Sequence, residues 1–122
     1  MLSLPPAVRI WVSTRPADLR KSFDGLAALV DQWLEADPLS GHVFVFRNKM
    51  ADRVKLLVWD GDGYVIYYKR LEEGTFRFPV AAEQARVTIR AADLLMLLDG
   101  VDLSSVRRRL RYRRRERMAA DC

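Results

Sequence analysis

The sequence predicts a small α+β domain: an antiparallel β-meander of about four or five strands, an N-terminal amphipathic helix and a short C-terminal helix, followed by an Arg-rich tail. Three observations support this fold class. The chain has 122 residues, 50% of them hydrophobic, which suits one globular domain. Apolar residues recur at helical spacing near the start of the chain. Three β-rich segments then follow closely, and a strong turn motif joins the last two.

The first two elements are a strand and a helix. Residues 8–12 (VRIWV) are mostly β-formers that follow a proline pair, and they predict a short strand. Asp18 is placed as the N-cap of the helix. We expect the helix to end near Pro38, because proline disfavours helical geometry in the residue before it. Its apolar stripe consists of Leu19, Phe23, Leu26, Val30, Trp33 and Leu34.

Three strands are predicted at residues 42–47, 53–59 and 64–70, with the turn Asp60-Gly61-Asp62-Gly63 between the last two. Any of the turn registers that this motif allows gives the hairpin the same two faces. The apolar face holds Val54, Leu56, Val58, Val65, Tyr67 and Lys69. The other face is expected to meet solvent and holds Arg53, Lys55, Leu57, Trp59, Tyr64, Ile66, Tyr68 and Arg70. An odd-length connection over residues 48–52 would add Phe44 and Phe46 to the apolar face.

The remaining elements are shorter. Residues 71–80 predict a loop that folds back over the sheet edge, and residues 87–89 predict a short strand. Residues 91–99 (AADLLMLLD) predict an apolar helix. Gly100 ends it, because glycine readily adopts the left-handed geometry that follows a helix.

The charge is divided unevenly along the chain. The net charge is +5, but residues 107–117 alone hold eight arginines and one glutamate, and residues 1–106 are nearly neutral. The sequence therefore predicts a domain at residues 1–103 and a basic, flexible tail at residues 104–122. Arginine pairs with phosphate through a planar fork of donors, so the tail is expected to contact DNA. Its cations are Arg107, Arg108, Arg109, Arg111, Arg113, Arg114, Arg115 and Arg117.

A second basic site is predicted on the solvent face of the hairpin, where Arg53, Lys55 and Arg70 alternate with aromatic residues. Cations beside stacking rings suit single-stranded nucleic acid, although cross-strand aromatic pairs also stabilise any sheet. Rigid aromatic rings are also common at protein-binding hot spots. An adaptor that binds only proteins is therefore the alternative, through Trp59, Tyr64, Tyr68, Phe76 and Phe78.

Several other classes have little support. No apolar run approaches the ~20 residues of a membrane span, and no secretory signal is recognisable, so we expect a cytoplasmic protein. The single cysteine excludes an intramolecular disulfide. The turn at residues 60–63 fails as a calcium loop, because Val65 and Leu71 stand where glycine and glutamate are required. No catalytic constellation and no cofactor site is recognisable. A metal-dependent DNA-processing factor that uses scattered aspartates is the weaker alternative.

Several ordered motifs carry a family resemblance over roughly residues 8 to 103. They are DLRKSFDGL at residues 18–26, DPLSGHVFVFRN at 37–48, DRVKLLVWDGDG at 52–63, YYKRLE at 67–72, GTFRFP at 74–79 and the closing helix with DGVD at 99–102. Together they resemble the TnpB-type accessory proteins of the bacterial insertion sequence family sixty-six. These proteins are distinct from the RNA-guided nuclease that shares the TnpB label.

The resemblance implies a non-catalytic role in DNA transposition, beside a separate transposase and a second accessory protein of the same element. It implies no catalytic residues. The signature positions that carry charge and match the resemblance include Arg20, Lys21, Arg53, Lys55, Lys69 and Arg70, and we expect them to contact DNA near the nucleoid. Exposed edge strands in so short a meander could also pair with a second copy of the chain, so a homodimer is plausible.

Overall fold

The computed structural model describes residues 7–79 and 83–100. Its elements in chain order are β1 (Ile10–Ser13), α1 (Phe23–Leu34), β2 (Val43–Arg47), β3 (Arg53–Trp59), β4 (Tyr64–Arg70), β5 (Arg86–Ile89) and α2 (Ala91–Leu98). The bounds predicted for the β3–β4 hairpin are confirmed, and the other predicted bounds shift by at most two residues, apart from those of α1. The predicted Arg-rich tail and the predicted domain boundary at residues 103 and 104 lie outside the described residues.

The five strands form one sheet in the order β4-β3-β2-β1-β5. β2, β3 and β4 are the predicted antiparallel meander. β1 departs from the prediction, because it pairs parallel with β2 while β5 pairs antiparallel with its other side. A parallel neighbour requires a crossover connection, and α1 supplies it. The fold is therefore α+β with a mostly antiparallel sheet that contains one β-α-β unit.

The sheet separates two hydrophobic cores. One core lies on the side of α2 and contains Ile10, Val12, Val43, Val45, Val54, Leu56, Val58, Phe76, Leu94, Leu97 and Leu98. The other lies on the side of α1 and contains Ala17, Leu19, Leu26, Leu29, Val30, Leu34, Phe44, Phe46 and Leu57. Because both faces of the central strands are covered, β2 is buried along almost its whole length.

The predicted solvent face of the hairpin is therefore wrong over part of its length. Leu57 is fully buried under α1, and Tyr64 and Ile66 pack against the same core. The register pairs Phe44 with Leu57 and Phe46 with Lys55. Phe44 and Phe46 thus lie on the α1 side, because the pairing of Arg47 with Val54 makes the connection one residue longer than the odd-length loop considered from sequence.

α1 begins later than predicted, at Phe23, with Ser22 as its N-cap. Asp18 instead closes a turn before the helix, where its Oδ1 accepts the backbone N–H of Arg20 at 3.0 Å. Leu19 is buried from this turn rather than from the helix. Phe23 is 45% exposed, so the buried stripe of α1 uses Leu29 instead.

α2 is fastened to the edge of the sheet. The Nζ of Lys69 donates a hydrogen bond to the backbone carbonyl of Leu98 at 2.7 Å, at the C-terminal end of the helix. Gly100 follows with φ of +86°, as predicted for a helix stop. The loop after β4 folds back as expected. It buries Phe76 in the α2-side core, and the N–H of Phe76 bonds the carbonyl of Ala51.

Candidate nucleic-acid interface

The two parallel strands end at the same edge of the sheet, and the loop that follows each strand starts there. The loop after β1 leads into α1, and the loop after β2 leads into β3. The N–H of Ala17 in the first loop bonds the carbonyl of Arg47 at the end of β2, at 2.8 Å. This bond holds the two loops side by side. In open sheets with parallel strands, ligands bind outside the carboxyl ends of such strands.

The second loop, at residues 48–52, is held in shape by its own hydrogen bonds. Asn48 Oδ1 accepts the N–H of Arg53 at 3.1 Å, and Asn48 Nδ2 donates to Asp52 Oδ1 at 2.6 Å. Ala51 has a positive φ of 56° and donates its N–H to the carbonyl of Asn48. A left-handed alanine persists only where surrounding contacts fix the turn. The loop therefore presents Lys49 on a defined backbone.

These loops and the adjacent ends of β3 and β4 enclose a groove with a volume of about 560 Å³, which we call the basic groove. Four cations and one carboxylate line it, so its charge is positive. Its lining residues are Ala17, Asp18, Leu19, Arg20, Asn48, Lys49, Met50, Arg53, Lys55 and Tyr68.

Lys55 is the innermost cation of the basic groove. The residue is 8% exposed. Its Nζ donates to the carbonyl of Lys21 at 2.9 Å and lies 4.7 Å from the ring centre of Tyr68, a cation–π contact. The Tyr68 hydroxyl in turn accepts a hydrogen bond from Arg53 Nη1 at 3.2 Å. Lys55, Tyr68 and Arg53 are thereby held together, with no carboxylate in ion-pairing contact with either cation among the described residues.

Two other predicted cations have carboxylate partners. Arg20 forms an ion pair with Asp18 at 2.8 Å, and its side-chain and backbone hydrogen bonds lower the pKa of Asp18 to about 2. Arg70 lies directly opposite Arg53 in the sheet and is paired with Glu72 at 2.8 Å, which raises the pKa of the Arg70 guanidinium. Both pairs are exposed, so they are weak and leave the arginines able to exchange partners.

Lys21 and Lys69 differ from the rest of the predicted set. Lys21 is exposed, and its stem lies over Gly25, where an added Cβ would come within 2.9 Å of the Lys21 Cβ. The absence of a side chain at Gly25 thus makes room for the turn before α1. Lys69 lies on the α2 side of the sheet, with its amine on Leu98. The structure therefore brings Arg20, Arg53 and Lys55 together and places Lys69 elsewhere.

The predicted interaction aromatics are also spread over different environments. Tyr68 is 48% exposed, whereas Phe76 is 2% exposed and belongs to a core. Phe78 packs against that core and meets the Phe76 ring edge to face, with the ring centres 6.3 Å apart. Trp59 and Tyr64 form an edge-to-face pair at 5.1 Å. Burial raises the pKa of Tyr64, and the carboxylates of Asp37 and Asp24 add to this shift.

Sequence reasoning missed Lys49 and Met50, which extend the basic groove on its outer side. Met50 is 72% exposed. The signal that could have found them is the loop itself, because a short polar connection between two buried strands places its central residues at the surface.

A second groove, with a volume of about 510 Å³, lies between the C-terminal end of α1 and the β1–β5 edge. We call it the Trp–Arg groove, because Trp11 and Trp33 line it and an arginine lies over the ring of each. Arg86 stacks on Trp11 at 4.2 Å and Arg15 stacks on Trp33 at 4.6 Å. Neither tryptophan was predicted as a site residue.

Within residues 7–79 and 83–100, no group of three or more His, Cys, Asp or Glu side chains is placed to hold a metal ion. His42 has a structural role, in which its Nδ1 accepts the N–H of Arg9 at 2.9 Å. Neither helix of the described ranges is long and apolar enough to cross a membrane.

Comparison with known proteins gives a consistent result. The protein-family model described as IS66 Orf2 like protein matches residues 8–108 of the chain. The chain is 38% identical over 109 residues to a protein of Sinorhizobium fredii (strain NBRC 101917 / NGR234) named Uncharacterized protein y4jC, and the match covers 89% of the chain and 92% of that relative. It is also 38% identical over 102 residues to Uncharacterized protein y4hO of the same strain, covering 84% and 88%. No solved structure matches the chain.

Proposed function

This chain belongs to the IS66 Orf2-like family of transposition-associated accessory proteins, and from that membership we propose that it binds DNA through the basic groove during transposition of an insertion sequence. In this role it has no catalytic step of its own. It works at the nucleoid beside a separate transposase and a second accessory protein of the same element.

The observation that carries the DNA-binding role is the set of cations without carboxylate partners. Among the described residues, Lys49, Arg53 and Lys55 form no ion pair, yet all three line one groove. Holding like charges together is unfavourable unless an anion neutralises them. A phosphate backbone supplies such an anion, and it releases counterions when cations neutralise it. The exposed Tyr68 ring beside them can stack on an unpaired base.

The Arg-rich tail has a supporting part in this proposal. Its eight arginines give it a high positive charge, which attracts DNA of any sequence. The basic groove, by contrast, offers arginine and lysine at fixed positions. We therefore assign the orientation of bound DNA to the groove and additional affinity to the tail.

The proposal is tested by fluorescence anisotropy with a duplex and a single-stranded oligonucleotide over a salt series. The key variant is Lys49→Gln/Arg53→Gln. It is measured in the full chain and again in a full-length chain whose eight tail arginines are replaced by glutamine. If each cation holds one phosphate, the slope of log affinity against log salt falls in magnitude by about 0.9 per contact for duplex DNA. At low salt we expect roughly tenfold weaker binding.

The control is Arg9→Gln, which removes one exposed cation that lies at the opposite end of the sheet, away from the basic groove. It should leave both the affinity and the salt slope close to those of the unmodified chain. Equal behaviour of Lys49→Gln/Arg53→Gln and Arg9→Gln in both backgrounds would refute the DNA-binding role of the basic groove.

A second candidate function, a protein adaptor, is favoured by the Trp–Arg groove. Trp11 and Trp33 are only half-buried there, and tryptophan and arginine are the residue types enriched at binding hot spots. We propose the transposase as the partner of this groove. Co-purification of the two proteins in high salt with nuclease present should be lost in Trp33→Ala and kept in Lys49→Gln/Arg53→Gln. The opposite pattern would contradict the adaptor role.

A further inference from the structure

The outer edge of β4 presents backbone groups along its whole length that have no partner among the described residues. β4 is at one end of the sheet, and its seven residues pair with β3 without a bulge. The N–H of Leu71 bonds the carbonyl of Asp52, and the N–H of Asp60 bonds the carbonyl of Gly63. Because hydrogen-bonded pairs alternate in an antiparallel ladder, the odd-numbered residues of β4 bond β3. The backbone groups that point away from the sheet belong to Tyr64, Ile66, Tyr68 and Arg70.

The middle of this edge, residues 65–68, lacks the features that usually protect an edge strand from pairing. Proteins protect such edges with short strands, prolines, bulges or charged residues. β5, at the opposite edge, has only four residues and begins with Arg86. β4 is longer, and residues 65–68 (VIYY) contain neither a charge nor a proline. Within the described residues, no other strand covers this side of β4.

The two ends of β4 differ in charge. The strand ends in two cations, Lys69 and Arg70, of which Arg70 is paired with Glu72, and the turn before its N-terminal end contains Asp60 and Asp62. Tyr64 begins the strand at this end, and its pKa is raised first by burial and then by the carboxylates of Asp37 and Asp24. Antiparallel pairing of two copies of β4 would place each basic end beside the acidic end of the other copy. Parallel pairing would place like charges together.

We propose that a second copy of this chain pairs antiparallel with β4 and extends the sheet across the two protomers. Outward-facing residues must form the hydrogen-bonded pairs, so full overlap places Ile66 opposite Tyr68 and Tyr64 opposite Arg70 of the second copy. The same register places Val65 opposite Lys69, and Tyr67 opposite the partner's Tyr67. The two-fold axis is perpendicular to the sheet, so both α1 layers and both basic grooves lie on the same side of the assembly.

The proposal is tested first with a matched pair of charge variants at Val65, a residue that is 37% exposed. In the proposed register, Val65→Glu faces a lysine of the second copy, whereas Val65→Lys faces a like charge. Both variants add a charge at the same position of the protomer. Sedimentation equilibrium of the full chain should show a dimer with a dissociation constant in the micromolar range, as suits a small interface. We expect the dimer of Val65→Glu to be about tenfold tighter than that of Val65→Lys, because the charge pair occurs twice.

A second test uses disulfide formation in a Cys122→Ser background. Tyr67→Cys should form a disulfide-linked dimer under mild oxidation, because a residue on the two-fold axis meets its own copy at about 4.5–5.5 Å between Cα atoms. Val65→Cys is the control and should not cross-link, because its partner in this register is Lys69. Thermal unfolding of each variant verifies that the protomer is folded.

Three results would overturn the proposal. The first is a monomer at every concentration, as expected if residues 101–122 or a different protein cover β4. The second is a dimer whose affinity is the same for Val65→Glu and Val65→Lys. The third is cross-linking of Val65→Cys that equals or exceeds that of Tyr67→Cys. None of these results depends on DNA binding, so the two proposals can fail independently.

Discussion

Replacing Lys69 with methionine separates a structural role from a DNA-binding one. Methionine keeps an unbranched apolar stem of similar length and removes the charge. In the structure, the Lys69 amine bonds the last carbonyl of α2 at 2.7 Å, and the last turn of that helix has no basic residue of its own. Lys69 is thus the cation that stabilises the negative end of the helix. We expect Lys69→Met to weaken folding and to leave DNA affinity unchanged.

The size of the effect follows from two contributions. A hydrogen bond from a charged donor stabilises a protein by about 1.5–3 kcal/mol, and a cation at a helix C-terminus adds about 0.3–1 kcal/mol. Lys69 is half-buried, so part of this gain is offset by lost hydration. We therefore expect the free energy of unfolding to fall by about 2 kcal/mol, which corresponds to a decrease in Tm of roughly 10 °C for a domain of this size.

Urea denaturation followed by circular dichroism measures the free energy of unfolding, and anisotropy measures DNA affinity. Lys49→Met is the control, since Lys49 is exposed and forms no hydrogen bond to another described residue. It should have the opposite profile, with normal stability and weaker DNA binding. The reasoning is refuted if Lys69→Met is as stable as Lys49→Met, or if Lys69→Met weakens DNA binding to the same degree.

Three further predictions concern other contacts. Gly25→Ala should lower the free energy of unfolding by about 1 kcal/mol, because the added Cβ would lie 2.9 Å from the Lys21 Cβ, which outweighs the better helix propensity of alanine. In a Lys21→Gly background, where that contact is absent, the same change should be stabilising, and equal effects in both backgrounds would contradict this. NMR titration of Asp18 should give a midpoint near pH 2, and Arg20→Ala should return it toward 3.8. Because the folded-state pKa is the lower one, any stability from this pair is present above about pH 4 and is lost as the pH falls through about 2; an unshifted midpoint would exclude the ion pair in solution. Phe76→Ala should destabilise the fold by about 3–5 kcal/mol, as measured by denaturation, because its ring is 2% exposed; a loss of partner binding without a loss of stability would show that the ring is accessible.

Local sequence patterns predicted the bounds of an element well where neighbouring residues allow only one backbone conformation. The turn at residues 60–63 fixes the bounds of β3 and β4, because glycine and aspartate tolerate its geometry and the two strands are adjacent in sequence. The start of α1 was predicted less well, since Asp18 has the same local chemistry whether it caps a helix or closes a turn.

The candidate site was only partly predictable for a similar reason. Charge and alternation identified Arg53 and Lys55 on one face of the hairpin, and the resemblance added Arg20. Lys49 joins them only because the loops after β1 and β2 lie side by side. The two loops are distant in sequence, so no periodic pattern of residues could predict their contact.

The sequence by itself determined the family, the type and order of the elements, and the uneven distribution of charge between residues 1–106 and residues 107–117. These properties follow from composition, short-range periodicity and ordered motifs. Only the tertiary structure decided that β1 lies between β2 and β5, parallel to β2 and antiparallel to β5. It also decided that Phe44 and Phe46 lie under α1 and that Lys69 bonds the C-terminal end of α2. The physical reason is that strand order and register depend on which distant surfaces bury each other, and a shift of one residue moves every side chain to the opposite face.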